Sequence, residues 1–238
     1  MGFIKMKFNP LWAYWHAVDI EQVTDGLRTI PCDQYHVSYY DYPFPHRQIQ
    51  KYFLEHKQYT HLILHPNDLV CNKTHFEGLK NMVIQYDFDV CCGVCNVDLK
   101  NFKDYWNVTK NLPDLDYANR RYYWLSKNRY PNQIIQVPFA GFPAMCVKRE
   151  VLEKTPINSF LNPKKTDAAP MWETRGGYSN DLIFCHNLND LGIKINCNTG
   201  ISMLHLRYQG VNQVGKKEPK ITFYNYNDYN KACLELHK

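Results

Sequence analysis

Apolar and polar positions along the first hundred residues fall into short blocks whose period switches back and forth. Ile4–Phe8 is an apolar run stopped by Asn9-Pro10 and predicts a first strand leading into a turn. From Leu11 to about Leu27, Trp12, Trp15, Val18, Ile20 and Val23 recur at roughly helical spacing and predict a helix. Gln34–Tyr40, closed by Asp41-Tyr42-Pro43, predicts a second strand, and His46–His56 a helix with Ile49, Tyr52 and Phe53 on one face. Thr60–Leu64 is a wholly apolar third strand that stops at Pro66. Thr74–Tyr86 predicts a helix buried through Phe76, Leu79, Met82 and Val83, and Phe88–Val94 a fourth buried strand. Strand and helix alternating in this way predict an α/β fold with a mainly parallel open sheet, built by right-handed crossovers.

The order then loosens. Residues 98–133 are polar, aromatic and poorly periodic. Val137–Val147 predicts one strand with a bend at Gly141. Residues 155–178 hold Pro and Gly without periodicity and read as a long loop or lid. Ser179 is the expected N-cap of a helix through Asp190, with Gly192 at its C′ position. Ile193–Leu206 alternates around Asn198-Thr199-Gly200 as the last strands. Residues 1–210 are expected to form the domain, and 211–238 a docked helix or loose tail.

Composition narrows the classes of function. The chain has 238 residues, 45% of them hydrophobic, so one domain with a substantial core is expected. Its net charge of +5 is not gathered into any run of five like charges, which argues against a nucleic-acid partner and leaves a mild attraction for anions. No 18-residue apolar stretch predicts a transmembrane segment, and the first residues do not read as a signal peptide. Nine cysteines without framework spacing predict reduced thiols and a cytoplasmic location, which leaves the sequons at Asn72 and Asn107 unused. Cys92 and Cys95 have C-x-x-C spacing but sit in a predicted buried strand, where they read as small hydrophobes. Aromatic content is 15%, with 18 Tyr; some of these rings are candidates for a sugar-binding cleft.

Three segments carry candidate chemistry. Strand Leu62–Leu64 runs into His65-Pro66-Asn67-Asp68, which sets a carboxylate at the carboxyl edge where open α/β sheets bind ligands. Asp68 suits Mg²⁺ or Mn²⁺, which take one or two protein carboxylates and fill their shell with phosphate oxygens; otherwise it is a turn Asp capping the helix at Thr74. Asp181 lies in a helix first turn and is a candidate general base, or an ordinary charge favoured by the macrodipole. His205 leaves an apolar strand and is a candidate imidazole ligand to the same cation, or a hydrogen-bonded core residue.

Taken together, these segments resemble the GT-A glycosyltransferases, near their family-2-like members, over roughly residues 1–210. Thr60–Asp68 is similar to the strand and Asp-x-Asp element that binds metal and the sugar-nucleotide diphosphate; Pro66 replaces the first Asp, with His65 or Asn67 as compensating groups. Phe139–Leu152, with Gly141, resembles the Gly-rich strand that faces the donor sugar. Gly177–Cys185 resembles the family's G-E-D-x-x-F-C segment, with Asn180 for Glu and Asp181 retained as catalytic base. Leu191–Ile195 and His205 match the ending whose His completes the metal site. The resemblance further implies nucleobase contact at Asp41, diphosphate contact at Arg47, a nucleotide turn at Asn9-Pro10, and Glu173 as reserve base within a donor-covering stretch at 162–178. It implies transfer of a sugar from a nucleotide-diphosphate donor to a glycan or other hydroxyl acceptor, with inversion and metal assistance. The missing acids favour one alternative, a catalytically inactive nucleotide- or glycan-binding domain; a third reading, another nucleotide-dependent transferase such as a nucleotidyltransferase, shares the fold plan.

Overall fold

The computed structural model describes residues 7–16, 21–38, 44–66, 69–96, 104–116, 119–162, 164–167, 180–206 and 220–224. It is a mixed α/β fold with a mostly parallel central sheet between two layers of helices. The strands nearest the amino terminus are β1 (Pro10–His16), β2 (Asp33–Ser38) and β3 (His61–Pro66), with β1 in the middle and parallel to both. Beyond β3 come β10 (Met145–Lys148), β5 (Val90–Cys95) and β11 (Ile195–His205). β11 is parallel to β5, while β10 runs antiparallel between β3 and β5. β2, β1, β3, β5 and β11 therefore all end at one edge of the sheet.

Both sheet faces are covered. Helices α1 (Glu21–Arg28) and α3 (Lys73–Tyr86) bury Val23, Leu27, Phe76, Leu79 and Met82 with Trp12, Tyr14, Ile63 and Cys91. Helices α2 (Phe44–Glu55) and α6 (Asn180–Asp190) bury Ile49, Phe53, Leu182 and Phe184 with Leu11, Ala13, Leu62 and Cys92. Strand residues alternate between the two cores, as a period of two requires.

This double burial explains the largest correction to the sequence reading. Strand β1 occupies Pro10–His16, where a helix was expected, and among the described residues of the expected Leu11–Leu27 helix only 21–27 are helical, in α1. A strand buried on both sides shows no polar alternation, and its two Trp happen to be spaced three apart. Lys7 and Phe8 are not in a strand, so of the expected Ile4–Phe8 strand the described part is absent. The predicted strand at Val137–Val147 divides into β8 (Ile134–Val137), β9 (Phe139–Ala140) and β10. Between the last two, Phe142 and Ala144 hold positive φ of 47° and 49° around Pro143, a costly backbone state for residues with a Cβ.

Residues 104–126, unpatterned in the sequence, supply β6 (Tyr105–Thr109) and β7 (Trp124–Ser126), which join β9 in a small antiparallel sheet. A short strand β4 (Leu69–Val70) pairs with the end of β11, and β8 with its beginning. Residues 220–224, expected in a helix or loose tail, form β12, antiparallel on the outer side of β2. Gly192 takes φ 71° after α6, as its C′ position demands. No described helix is long and apolar enough to cross a membrane.

Candidate functional site

Segments far apart in the chain meet at the carboxyl edge. Pro66 ends β3 and Leu69 opens β4; Asn67 and Asp68 between them lie outside the described residues, as do Asp41 and Glu173. In the β4–β11 pairing, His205 stands opposite Leu69, the residue that follows Asp68. Pro66, Leu69, Cys95, Asn107, Gly141 and His205 line a cavity of about 180 Å³. Two predicted site residues, Gly141 and His205, thus share one wall system.

His205 is half-buried, and its Nδ1–H donates to the Asn96 carbonyl at 3.2 Å. A carbonyl oxygen only accepts, so the neutral ring carries its lone pair on Nε2. Metal-binding imidazoles are oriented in this way, by a backbone carbonyl on the other nitrogen.

His65 has a different task from the compensating ligand expected of it. It is fully buried. Its Nδ1 accepts from Trp12 Nε1–H at 3.0 Å, which leaves Nε2–H to donate to the Leu69 carbonyl at 2.7 Å. Both nitrogens are committed, and the ring ties the end of β3 to Trp12 in β1 and to Leu69 at the start of β4.

The capping alternative for Asp68 also falls away. Asn72 is the N-cap of α3: its Oδ1 accepts from Thr74 N at 3.0 Å, and its own N–H donates to His75 Nδ1 at 3.1 Å. His75 Nε2 in turn meets the Ser202 carbonyl at 3.0 Å, which ties α3 to β11.

Asp181 lies in the first turn of α6, half-buried, with Oδ1 accepting from Leu182 N–H at 2.8 Å. The residue before it is held from outside. Asn180 is buried, and its carboxamide lies 2.8 Å from His46 Nδ1. His46 packs edge-on against Trp15 near the end of β1, so α6 begins at the same carboxyl edge. Burial lowers the His46 pKa to about 3, keeping this contact neutral. Asn180, standing where the related motif has Glu, is suited to a neutral partner. Burial raises the Tyr122 hydroxyl pKa, and the Asp181 carboxylate adds to the rise. Tyr122 stacks on Trp124 at 4.7 Å, an aromatic pair next to Phe139 of the small sheet.

Other candidates are spread out. Arg47 is exposed in the first turn of α2, at the carboxyl edge. Asn9 precedes β1 and so lies at the opposite edge, where its backbone N–H donates to Thr60 Oγ1 at 2.9 Å and its carboxamide donates to the Gln58 carbonyl. There it borders a separate cavity of about 610 Å³ with Phe8, Asp33, Lys73 and Glu77. The expected nucleotide turn at Asn9-Pro10 is thus remote from Gly141 and His205, because β1 begins rather than ends there.

Among the described residues, no three His, Cys, Asp or Glu side chains gather as a metal-binding group. All eight described cysteines are free and buried. Burial pushes the thiols of Cys71 and Cys146 far up and keeps them protonated, which suits their role as core residues.

Asn107 was passed over in the sequence as an unused sequon. The sequon's Thr109 is fully buried and bonds the Asn111 carbonyl, so it serves the fold. Asn107 itself faces Gly141: a Cβ on that glycine would lie 2.4 Å from Asn107 Nδ2.

No protein-family model matches the chain, and no curated protein matches it. Among solved structures, A197 from STIV is similar with a TM-score of 0.57 and 16% identity, over 84% of this chain and 87% of that one. At that identity the likeness shows a shared overall fold and nothing of activity.

Proposed function

We propose that the chain is a GT-A-type glycosyltransferase that moves a sugar from a nucleotide diphosphate to a hydroxyl acceptor with inversion. The observation that carries this reading is the cavity at the carboxyl edge, where Pro66, Gly141 and His205 come together from three separate segments. Ligands of open α/β sheets bind at that edge. β10, which follows the Gly141 bend, runs antiparallel between the mutually parallel strands β3 and β5, and this supports the GT-A assignment over a plain doubly wound sheet.

In this mechanism Asp181 accepts the proton of the attacking hydroxyl. The stacked rings of Tyr122 and Trp124 offer apolar surface to the acceptor. Arg47 faces the diphosphate from the first turn of α2. A divalent cation would be held by His205 Nε2 and Asp68 and would supply positive charge beside the leaving diphosphate. An imidazole beside a carboxylate suits Mn²⁺ better than Mg²⁺, which prefers oxygen alone. The free cysteines support a cytoplasmic location.

The test is turnover of a panel of nucleotide sugars with Mn²⁺, comparing native protein with Asp181→Asn and Asp68→Ala. Loss of at least a hundredfold in kcat for Asp181→Asn is expected from removal of a general base. Unchanged rates in both variants would remove the mechanism. The second reading, a binding domain without turnover, is favoured by one feature, the neutral contact between Asn180 and His46 where the related motif is acidic. Binding of nucleotide sugars with no product at any metal concentration would select it.

A further inference from the structure

The reading above leaves open which part of the donor occupies the 180 Å³ cavity and what recognises it. Three observations bear on this. First, the residues lining the cavity are Pro66, Leu69, Cys95, Asn107, Gly141 and His205, a set with no Lys or Arg among the described residues. A diphosphate needs cationic partners and these side chains supply none, so it belongs beside the cation that His205 Nε2 and Asp68 would hold, while the uncharged sugar suits the rest of the lining. Second, 180 Å³ is the space of roughly six waters at ~30 Å³ each, the scale of one sugar ring rather than a nucleoside or a disaccharide. Third, among the described residues the only side-chain amide in the lining is Asn107, and the backbone is built to admit it. β6 pairs with β9, Gly141 N–H donates to the Asn107 carbonyl at 3.3 Å, and the missing Cβ of Gly141 is what lets the carboxamide lie across the bend.

A carboxamide offers two N–H donors and a carbonyl acceptor, and sugar hydroxyls are themselves both donors and acceptors. His205 lies in the same lining, its ring orientation set by Asn96, and Asn96 forms a bridge to Trp106, the neighbour of Asn107 in β6. The amide and the imidazole are therefore placed by one continuous backbone connection. Pro66 and Leu69 supply the apolar surface against which C–H faces of a ring pack.

We infer that Asn107 is a specificity-determining residue: its carboxamide reads hydroxyls of the donor sugar held in the neutral cavity between Gly141 and His205. This rests on the glycosyltransferase reading, and the experiment separates the two. Calorimetry with Mn²⁺ compares UDP-glucose, UDP-N-acetylglucosamine and GDP-mannose with UDP and GDP alone, on native protein, Asn107→Ala and Gly141→Ala. Expected is tighter binding of one nucleotide sugar than of its parent diphosphate by native protein. Asn107→Ala should then weaken that nucleotide sugar about tenfold, the worth of a hydroxyl–amide pairing, while its affinity for the bare diphosphate stays unchanged. Gly141→Ala, which pushes the amide aside, should do the same. Should Asn107→Ala fold poorly, Asn107→Ser replaces it. Equal weakening of sugar-bearing and bare nucleotides, or no change in either, overturns the assignment of Asn107. Binding of bare diphosphate with no gain from the sugar overturns the cavity's occupant while leaving nucleotide binding standing. No binding of any nucleotide overturns the underlying reading and this inference with it.

Discussion

Gly26 sits inside α1, where helix propensity alone says that alanine would be better by about 1 kcal/mol. The structure predicts the opposite. A Cβ at position 26 would lie 2.1 Å from the carbonyl oxygen of Cys71, immediately after β4. That atom belongs to backbone and cannot rotate away, so α1 would have to retreat by most of an ångström. Overpacking of this kind costs about 1–3 kcal/mol, and a backbone collision belongs at the upper end. With the propensity gain subtracted, Gly26→Ala should lose about 2 kcal/mol, and the melting temperature should fall by roughly 4–8 °C for a chain of this size. The contact from Lys73 N–H to Thr29 Oγ1, 2.9 Å, should weaken with it, because Thr29 follows α1 directly. Gly78→Ala in α3 is the matched control. There the Cβ would meet the flexible tip of Ile201 at 2.9 Å, so the same propensity gain should survive and stability should hold or rise. Thermal and urea unfolding of both variants decide the matter. A Gly26→Ala protein as stable as the native one would refute the argument from close approach.

Other outcomes follow from the buried polar groups. Burial lowers the pKa of His46 to about 3 and that of His61 to about 4. Unfolding restores both to ~6.5, so the unfolded chain binds more protons below that pH, and stability should fall as pH drops from 6.5 toward 4. Each ring contributes at most about 1.4 kcal/mol per pH unit, and urea midpoints across that range measure the slope. A flat profile would show that these rings titrate normally. Arg149 donates to the carbonyls of Tyr59, Phe53 and His56 at 2.8, 2.7 and 2.9 Å and lies over the Phe53 ring. Arg149→Ala should cost about 3 kcal/mol or more by equilibrium unfolding, and Arg149→Lys should recover less than half of it, since one ammonium cannot span three carbonyls. His65→Phe would leave the Trp12 N–H and the Leu69 carbonyl buried without their partner. A loss of about 2–4 kcal/mol is expected, and a near-native midpoint would contradict the clamp.

The legible parts of the fold were those with one periodic face. α3 was found to within a residue because Phe76, Leu79, Met82 and Val83 face the core while Glu77 and Lys80 are half-exposed. β3 and β5 were legible as short, wholly apolar runs. β1 was not, because both of its faces are buried and its aromatic spacing mimics a helix. The small sheet was hidden for another reason: β6 and β7 are short, joined across a long connection, and only Val108, Thr109 and Leu125 are well buried. At the candidate site, His205 was legible at the end of an apolar run, and Gly141 as a bend inside Val137–Val147 that the family resemblance turned toward the donor. The clamp of His65 was not, since its partners lie 53 residues upstream and four downstream and only pairing of β1 with β3 brings them together. Asn107 carried a visible flag, the sequon, whose meaning changed once Thr109 proved to be core.

The late strand β12 has a consequence for the chain as it is made. β1, β2 and β3 can pair once residue 66 has been synthesised, yet the outer side of β2 is covered only when residues 220–224 arrive. At ~5–20 residues per second that interval lasts roughly eight to thirty seconds. Throughout it the nascent sheet presents an open row of amides and carbonyls, the kind of template that recruits a second chain. The last segment thus acts as a seal against misassembly on the ribosome, and a chain cut short before position 220 would keep that edge adhesive.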